Sequence, residues 1–161
     1  MSWVLHRIDD RLIHGQVLVA WGQRLDPARI WIVDDAVAAS DWERDLFRDA
    51  APGIEVRVAS VADAAAAYAG EASASGTAFL IVRDLATARR LAQSGAAPAE
   101  WNVGGLHYAA GKDKVGDYVY LDGPDRADAR ALLQAGVALV VQDVPASPPT
   151  PLVSLDRTLV S

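Results

Sequence analysis

Ile30-Trp31-Ile32-Val33-Asp34-Asp35 holds four apolar residues in a row and then stops abruptly on two acids. A strand with one wet face alternates apolar and polar residues. An unbroken run is what a strand covered on both faces requires, and that belongs to a parallel sheet. Downstream, Phe79-Leu80-Ile81-Val82 repeats the pattern with Arg83-Asp84 at its end, and Ala138-Leu139-Val140-Val141 repeats it again. Ile54-Glu55-Val56-Arg57-Val58 alternates strictly, which suits a strand near the sheet edge. Between these runs the apolar spacing is helical. Ser40 and Glu43 have the spacing of a capping box, Ser60 and Asp84 sit where N-caps belong, and Gly95 and Gly136 sit where helices stop. Trp42, Leu46, Phe47 and Ala50 read as one helical face.

This alternation predicts an α/β fold: an open, predominantly parallel seven-stranded sheet with helices on both faces. The remaining strands are Trp3 to Ile8, Trp101 to Val103 and Tyr118 to Leu121. The connector Tyr108 to Asp117 has no amphipathic period, so no crossover helix is expected there. The strand after it is therefore expected to run antiparallel or to make an unusual connection, near the C-terminal edge. From about residue 145 the proline-rich tail reads as extended.

The chain of 161 residues reads as a single domain, 1–161. Without cysteine it has no disulfide, thiolate metal site or cysteine nucleophile. A net charge of -6 argues against nucleic acid as a partner. There is no basic-then-apolar leader and no run of ~18 apolar residues, so a cytoplasmic location is expected. The dinucleotide, Walker and nucleophile-elbow patterns are all absent. No cofactor and no metal ligand set is read from the chain.

Chemistry concentrates in Arg7-Ile8-Asp9-Asp10-Arg11-Leu12-Ile13-His14-Gly15-Gln16-Val17, between the first strand and an apolar stripe of Val17, Leu18, Trp21 and Leu25. Neutral imidazole is nucleophilic, and a phosphoryl group on it carries about two negative charges. Unpaired amides from Gly15, Gln16 and Val17, at the mouth of the next helix, suit that charge. Gly15 also lets a ligand approach the backbone. Arg11 offers a fork that matches phosphate oxygens, with Arg7 as a second candidate. Asp9 or Asp10 is placed to orient Arg11 or the imidazole. His107, beside Gly104-Gly105, and His6, within a strand, are weaker candidates, and Asp34-Asp35 reads as turn and capping chemistry.

The Arg7 to Val17 stretch resembles the signature of the IIB component of the mannose/fructose/sorbose family of the bacterial phosphotransferase system (PTS). The resemblance continues through Val33-Asp34-Asp35-Ala36-Val37-Ala38, Asn102-Val103-Gly104-Gly105-Leu106-His107 and Val119-Tyr120-Leu121-Asp122 to Val144-Pro145. It implies a seven-stranded, mainly parallel sheet and a phosphotransferase of the protein-N(pi)-phosphohistidine–sugar class. His14 matches the phosphorylated residue and Arg11 an arginine of the active-site loop. The implied partners are a PTS IIA protein that donates the phosphoryl group, membrane IIC and IID components, and a sugar that receives it. The implied place is the inner face of the membrane. The segment Ala62 to Gly76 and the tail after Ser147 match less well.

Successive large partners require a shallow, accessible His14. Two other readings share the motif: a regulatory phospho-accepting protein of the same fold, and an α/β domain binding a phosphate ester without a covalent bond. Neither the sugar nor a homo-oligomeric state is legible.

Overall fold

The computed structural model describes residues 3–15 and 17–160. At its centre runs β1 (Trp3–Asp9), paired in parallel with β4 (Ala78–Val82) on one side and β5 (Glu100–Gly105) on the other. Beyond β4 lie β2 (Arg29–Val33) and β3 (Glu55–Ala59), and beyond β5 lie β8 (Ala138–Val141) and β9 (Thr150–Pro151). The order is β3-β2-β4-β1-β5-β8-β9, parallel throughout except for β9 on β8.

The unbroken apolar strands explain the layers. On β2, Ile30 and Ile32 face one cluster with Leu5, Phe79, Ile81 and Trp21, while Trp31 and Val33 face another with Leu80, Val82, Trp101 and Val103. Burying each such side chain contributes about 1.5–3 kcal/mol. The second cluster is closed by Ala64 of α4 (Val61–Ala72), by Leu85, Ala88 and Leu91 of α5 (Leu85–Gln93), and by Ala129 and Leu132 of α6 (Gly123–Gln134). Side-chain caps start these helices: Ser60 Oγ accepts from Asp63 N, Asp84 Oδ1 from Thr87 N and Asp122 Oδ1 from Asp125 N. Asp34 caps α2 (Asp35–Ala38), and Ser40 caps α3 (Asp41–Asp49). Among the described residues no helix is long and apolar enough to cross a membrane.

Four elements differ from the sequence expectation. The predicted strand Tyr118 to Leu121 lies off the main sheet: β7 (Val119–Leu121) pairs antiparallel with β6 (Asp113–Gly116), a strand that the sequence did not signal inside the connector expected to carry no crossover helix. The sheet's seventh strand is instead β9, and after it the tail is not extended. It folds into α7 (Leu152–Leu155) and a 3₁₀ turn, Arg157–Val160, because Leu152 and Leu159 find places in the core. The stripe after His14 forms a π-helical turn, Val17–Gly22, before a single α turn, α1 (Gln23–Leu25). Finally, Trp42 and Leu46 of α3 point into solvent, 68% and 53% exposed, and of that expected face it is Phe47 that packs on the core.

The connection leaving β1 runs to β2, on one side of β1, and the connection leaving β5 runs to β8, on the other. The carboxyl ends of these neighbouring strands therefore flank a topological switch point, where open α/β sheets bind ligands.

Candidate active site

β1 ends at this switch point in a loop whose pattern, polar Arg11, apolar Leu12 and Ile13, polar His14, sorts itself by burial. Leu12 and Ile13 sink into the core on the side of Trp21 and Val37, which leaves Arg11 and His14 on the outside. The turn costs backbone strain, since Leu12 adopts φ 58° with a side chain that disfavours it. In return Leu12 O lies 3.1 Å from His14 Nδ1.

Asp9 is the hub of the loop. Fully buried, it accepts from Arg11 N and Nε on Oδ1, and from Arg11 Nη2 on Oδ2, each at 3.1 Å. Its Oδ2 also accepts from Arg7 Nη2 at 3.3 Å and stands 3.9 Å from His14 Nε2. The Arg11 side chain keeps 36% of its surface exposed. Partial burial lowers the affinity of Arg11 for its proton, but the bond and charge of Asp9, with Asp10 and Asp143 behind it, outweigh this and hold the guanidinium more firmly charged.

Arg7, read from the sequence as phosphate-binding, is corrected by its surroundings. It has no exposed surface, and both terminal nitrogens of its guanidinium are engaged inside the protein: Nη1 donates to Asn102 Oδ1 at 2.6 Å and to Gln142 O at 3.0 Å, and Nη2 to Asp143 O at 3.0 Å, while Nε is buried without a partner among the described residues. The ring of Trp21 lies 5.3 Å away and donates its own Nε1–H to Asp143 O. Burial pushes this guanidinium below its ordinary value, and Asp9 opposes the shift. A side chain at Gly104 would land on the guanidinium, so glycine is required beside it. Arg7 is thus the pin that ties β1, β5, β8 and the π-helical turn together beneath the loop.

His14 is less open than its expected role suggests. Its side chain is 17% exposed, lying along the loop between the Leu12 carbonyl and Asp9, with Nε2 buried. The Gly15 backbone is open, since an added Cβ would meet nothing within 4 Å. Val17 is buried at the start of the π-helical turn, and Gln16 falls outside the described residues.

Asp10 turns the other way. Its Oδ2 accepts from His107 N at 2.7 Å, and its Oδ1 lies 2.6 Å from His107 Nδ1. The other sequence candidates stand apart. His6 sits in an aromatic cluster at the amino end of β1, and Asp34 and Asp35 are capping and ion-pair residues, held to Arg83 and Arg90. Sequence reasoning missed the supports Asn102, Gln142 and Trp21. Asn102 did leave a signal: it is a polar residue between Trp101 and Val103 in a strand whose two sides are both covered.

Fold and site together define an open parallel α/β domain that carries a histidine-bearing loop at its switch point. Residues 3–158 match the family described as the PTS system sorbose subfamily IIB component, and the chain belongs to that family of phosphotransferase components. It is 35% identical over 144 residues to the N-acetylgalactosamine-specific phosphotransferase enzyme IIB component 1 of Escherichia coli, covering 88% of this chain and 90% of that protein. It is 33% identical to the mannose-specific EIIAB component of Escherichia coli, covering 94% of this chain but 47% of that longer protein. The IIB domain of the sorbose permease from Klebsiella pneumoniae superposes with a TM-score of 0.89 at 33% identity, covering 98% of both chains.

Proposed function

We infer that this chain is a phosphoryl carrier, in which His14 takes a phosphoryl group from a histidine of a IIA component and passes it to a sugar entering through membrane IIC and IID components. The observation that carries this reading is the packing of His14, Asp9 and Arg11 into one loop at the switch point, pinned from below by Arg7. On this reading the protein works at the cytoplasmic face of the membrane, held there by IIC and IID.

Acceptance forms a bond between phosphorus and a lone pair of His14 as the donor's P–N bond breaks, its electron pair returning to the donor imidazole. Such transfer depends on alignment and on stabilising the equatorial oxygens. The phosphoryl oxygens cannot rest against Asp9, so the ring swings outward as it is loaded. The group then meets the Arg11 guanidinium, which Asp9 holds in register, and the open backbone at Gly15. Arg7 and Asp10 support the loop rather than touch the phosphoryl group. The names of the relatives span N-acetylgalactosamine, sorbose and mannose, so the sugar belongs to the hexose class.

The test is transfer from a phosphorylated IIA component. Native protein becomes labelled, His14→Ala does not, and Arg11→Ala is labelled more slowly or loses its label sooner. Labelling of His14→Ala at the native rate would overturn the reading.

A further inference from the structure

The two transfers differ in one proton. Movement of a phosphoryl group between imidazoles releases none, whereas a sugar hydroxyl that attacks phosphorus must give up its hydrogen. The His14 nitrogen that leaves lies opposite the incoming oxygen and cannot collect it. Asp9 is occupied by Arg7 and Arg11, and both oxygens of Asp10 are engaged by His107.

His107 is built to take that proton. A carboxylate only accepts, so the 2.6 Å contact with Asp10 Oδ1 places the ring hydrogen on Nδ1 and leaves the lone pair on Nε2. Asp10 Oδ2 holds the backbone of the same residue at 2.7 Å, which fixes the ring by two points. The side chain is 40% exposed, and among the described residues nothing engages Nε2. The ring also overlooks the phosphoryl loop. A Cβ placed on Gly105 would stand 2.8 Å from His107 Cε1 and 3.3 Å from both Arg11 Nη2 and Asp9 Oδ1, so the three side chains converge over this glycine.

Resting on the reading of His14 as the phosphoryl carrier, we propose that the Asp10–His107 pair is the proton acceptor for the second transfer alone. The sugar oxygen bonds to phosphorus, the P–N bond to His14 breaks with its pair returning to that imidazole, and the hydroxyl proton passes to Nε2 of His107. Asp10 orients the ring and stabilises the imidazolium formed, acting as a positioning residue. The charged groups facing the pair are Arg11 and Asp9 across Gly105, and Lys112, which lies within the field of Asp10.

The experiment separates the half-reactions. His107→Gln, His107→Ala and Asp10→Asn are loaded from a phosphorylated IIA component. Each is then chased with N-acetylgalactosamine, sorbose or mannose in membrane vesicles carrying IIC and IID, across pH 5.5 to 8.5. Loading of His107→Gln should stay within a few-fold of native. Its sugar transfer should fall by about 100-fold or more and lose the native rise with pH, and added imidazole should restore part of the rate to His107→Ala. Asp10→Asn should be slowed in the same step. Native-like sugar transfer by His107→Gln overturns the inference while leaving the carrier reading intact, and so does a loss of loading equal to the loss of transfer. Native protein that never loads, or loads and serves none of the three sugars, overturns the carrier reading and this inference with it.

Discussion

The two ends of β1 bury polar groups for opposite purposes. At the amino end His6 lies against Trp3, Trp101 and Tyr68, its Nε2 2.8 Å from the Tyr68 hydroxyl, and burial lowers its pKa to about 4. This imidazole is kept neutral and serves as packing. Eight residues on, the chain has left the sheet, and His14 sits beside a carboxylate and an arginine at the surface. Between them Arg7 and Asp9 are buried as ions, Arg7 held by Asn102 of β5 and by carbonyls after β8, and Asp9 held by Arg7 and Arg11. Burial without a charged partner disarms a histidine, whereas burial of an ion pair beneath a loop fixes the loop that presents one.

Removing the pin tests this contrast most severely. Arg7→Ala takes from buried Asp9 one of its two arginine partners, leaving the three bonds from Arg11, and empties the space among Trp21, Asn102 and the carbonyls of Gln142 and Asp143. A buried pair broken on one side costs about 3–5 kcal/mol, to be read from urea denaturation. A loss under about 1 kcal/mol would mean that the loop stands without Arg7. Gly104→Ala forces a methyl group into the guanidinium and should cost about 1–3 kcal/mol through overpacking, with slower loading of His14 because the pin moves.

The amino end yields a pH effect of known sign. An unfolded histidine takes a proton near pH 6.5, and folded His6 takes one only near pH 4. The unfolded state therefore binds more protons in that window, and stability falls as pH drops from 6.5 towards 4. The loss should reach about 2 kcal/mol by pH 5, and His6→Gln should remove that part of it. A pH dependence identical in the variant would show that His6 is not kept neutral by the fold. Smallest of all, Trp42→Ala should change stability by no more than about 0.5 kcal/mol, since the side chain stands in solvent. A larger loss would mean that α3 rests on its tryptophan after all.

The same contrast shows what a sequence can and cannot display. The strands of the parallel sheet were legible because Ile30–Val33 and Phe79–Val82 are apolar on both faces, and β3 declared itself an edge by alternating. β9 was not, being two residues with a proline, and β6, unlike its partner β7, was hidden because Asp113, Lys114 and Gly116 bury little. The π-helical turn was invisible because Val17, Leu18, Trp21 and Leu25 satisfy an α stripe equally well. At the site, His14 and Arg11 stood out because their loop is polar where a connector need not be. Arg7 misled because its fate is decided by Asn102, 95 residues away, and by carbonyls more than 130 residues away. The Asp10–His107 pair escaped for the same reason, since 97 residues separate its members.

The central claim is that His14 carries the phosphoryl group. Its most direct test is to load the native protein from a phosphorylated IIA component and map the modified residue by fragmentation mass spectrometry. The native protein should carry one acid-labile, base-stable phosphate, on His14. A phosphate on His107 or His6, or an unmodified His14 after full exposure to the donor, would contradict it.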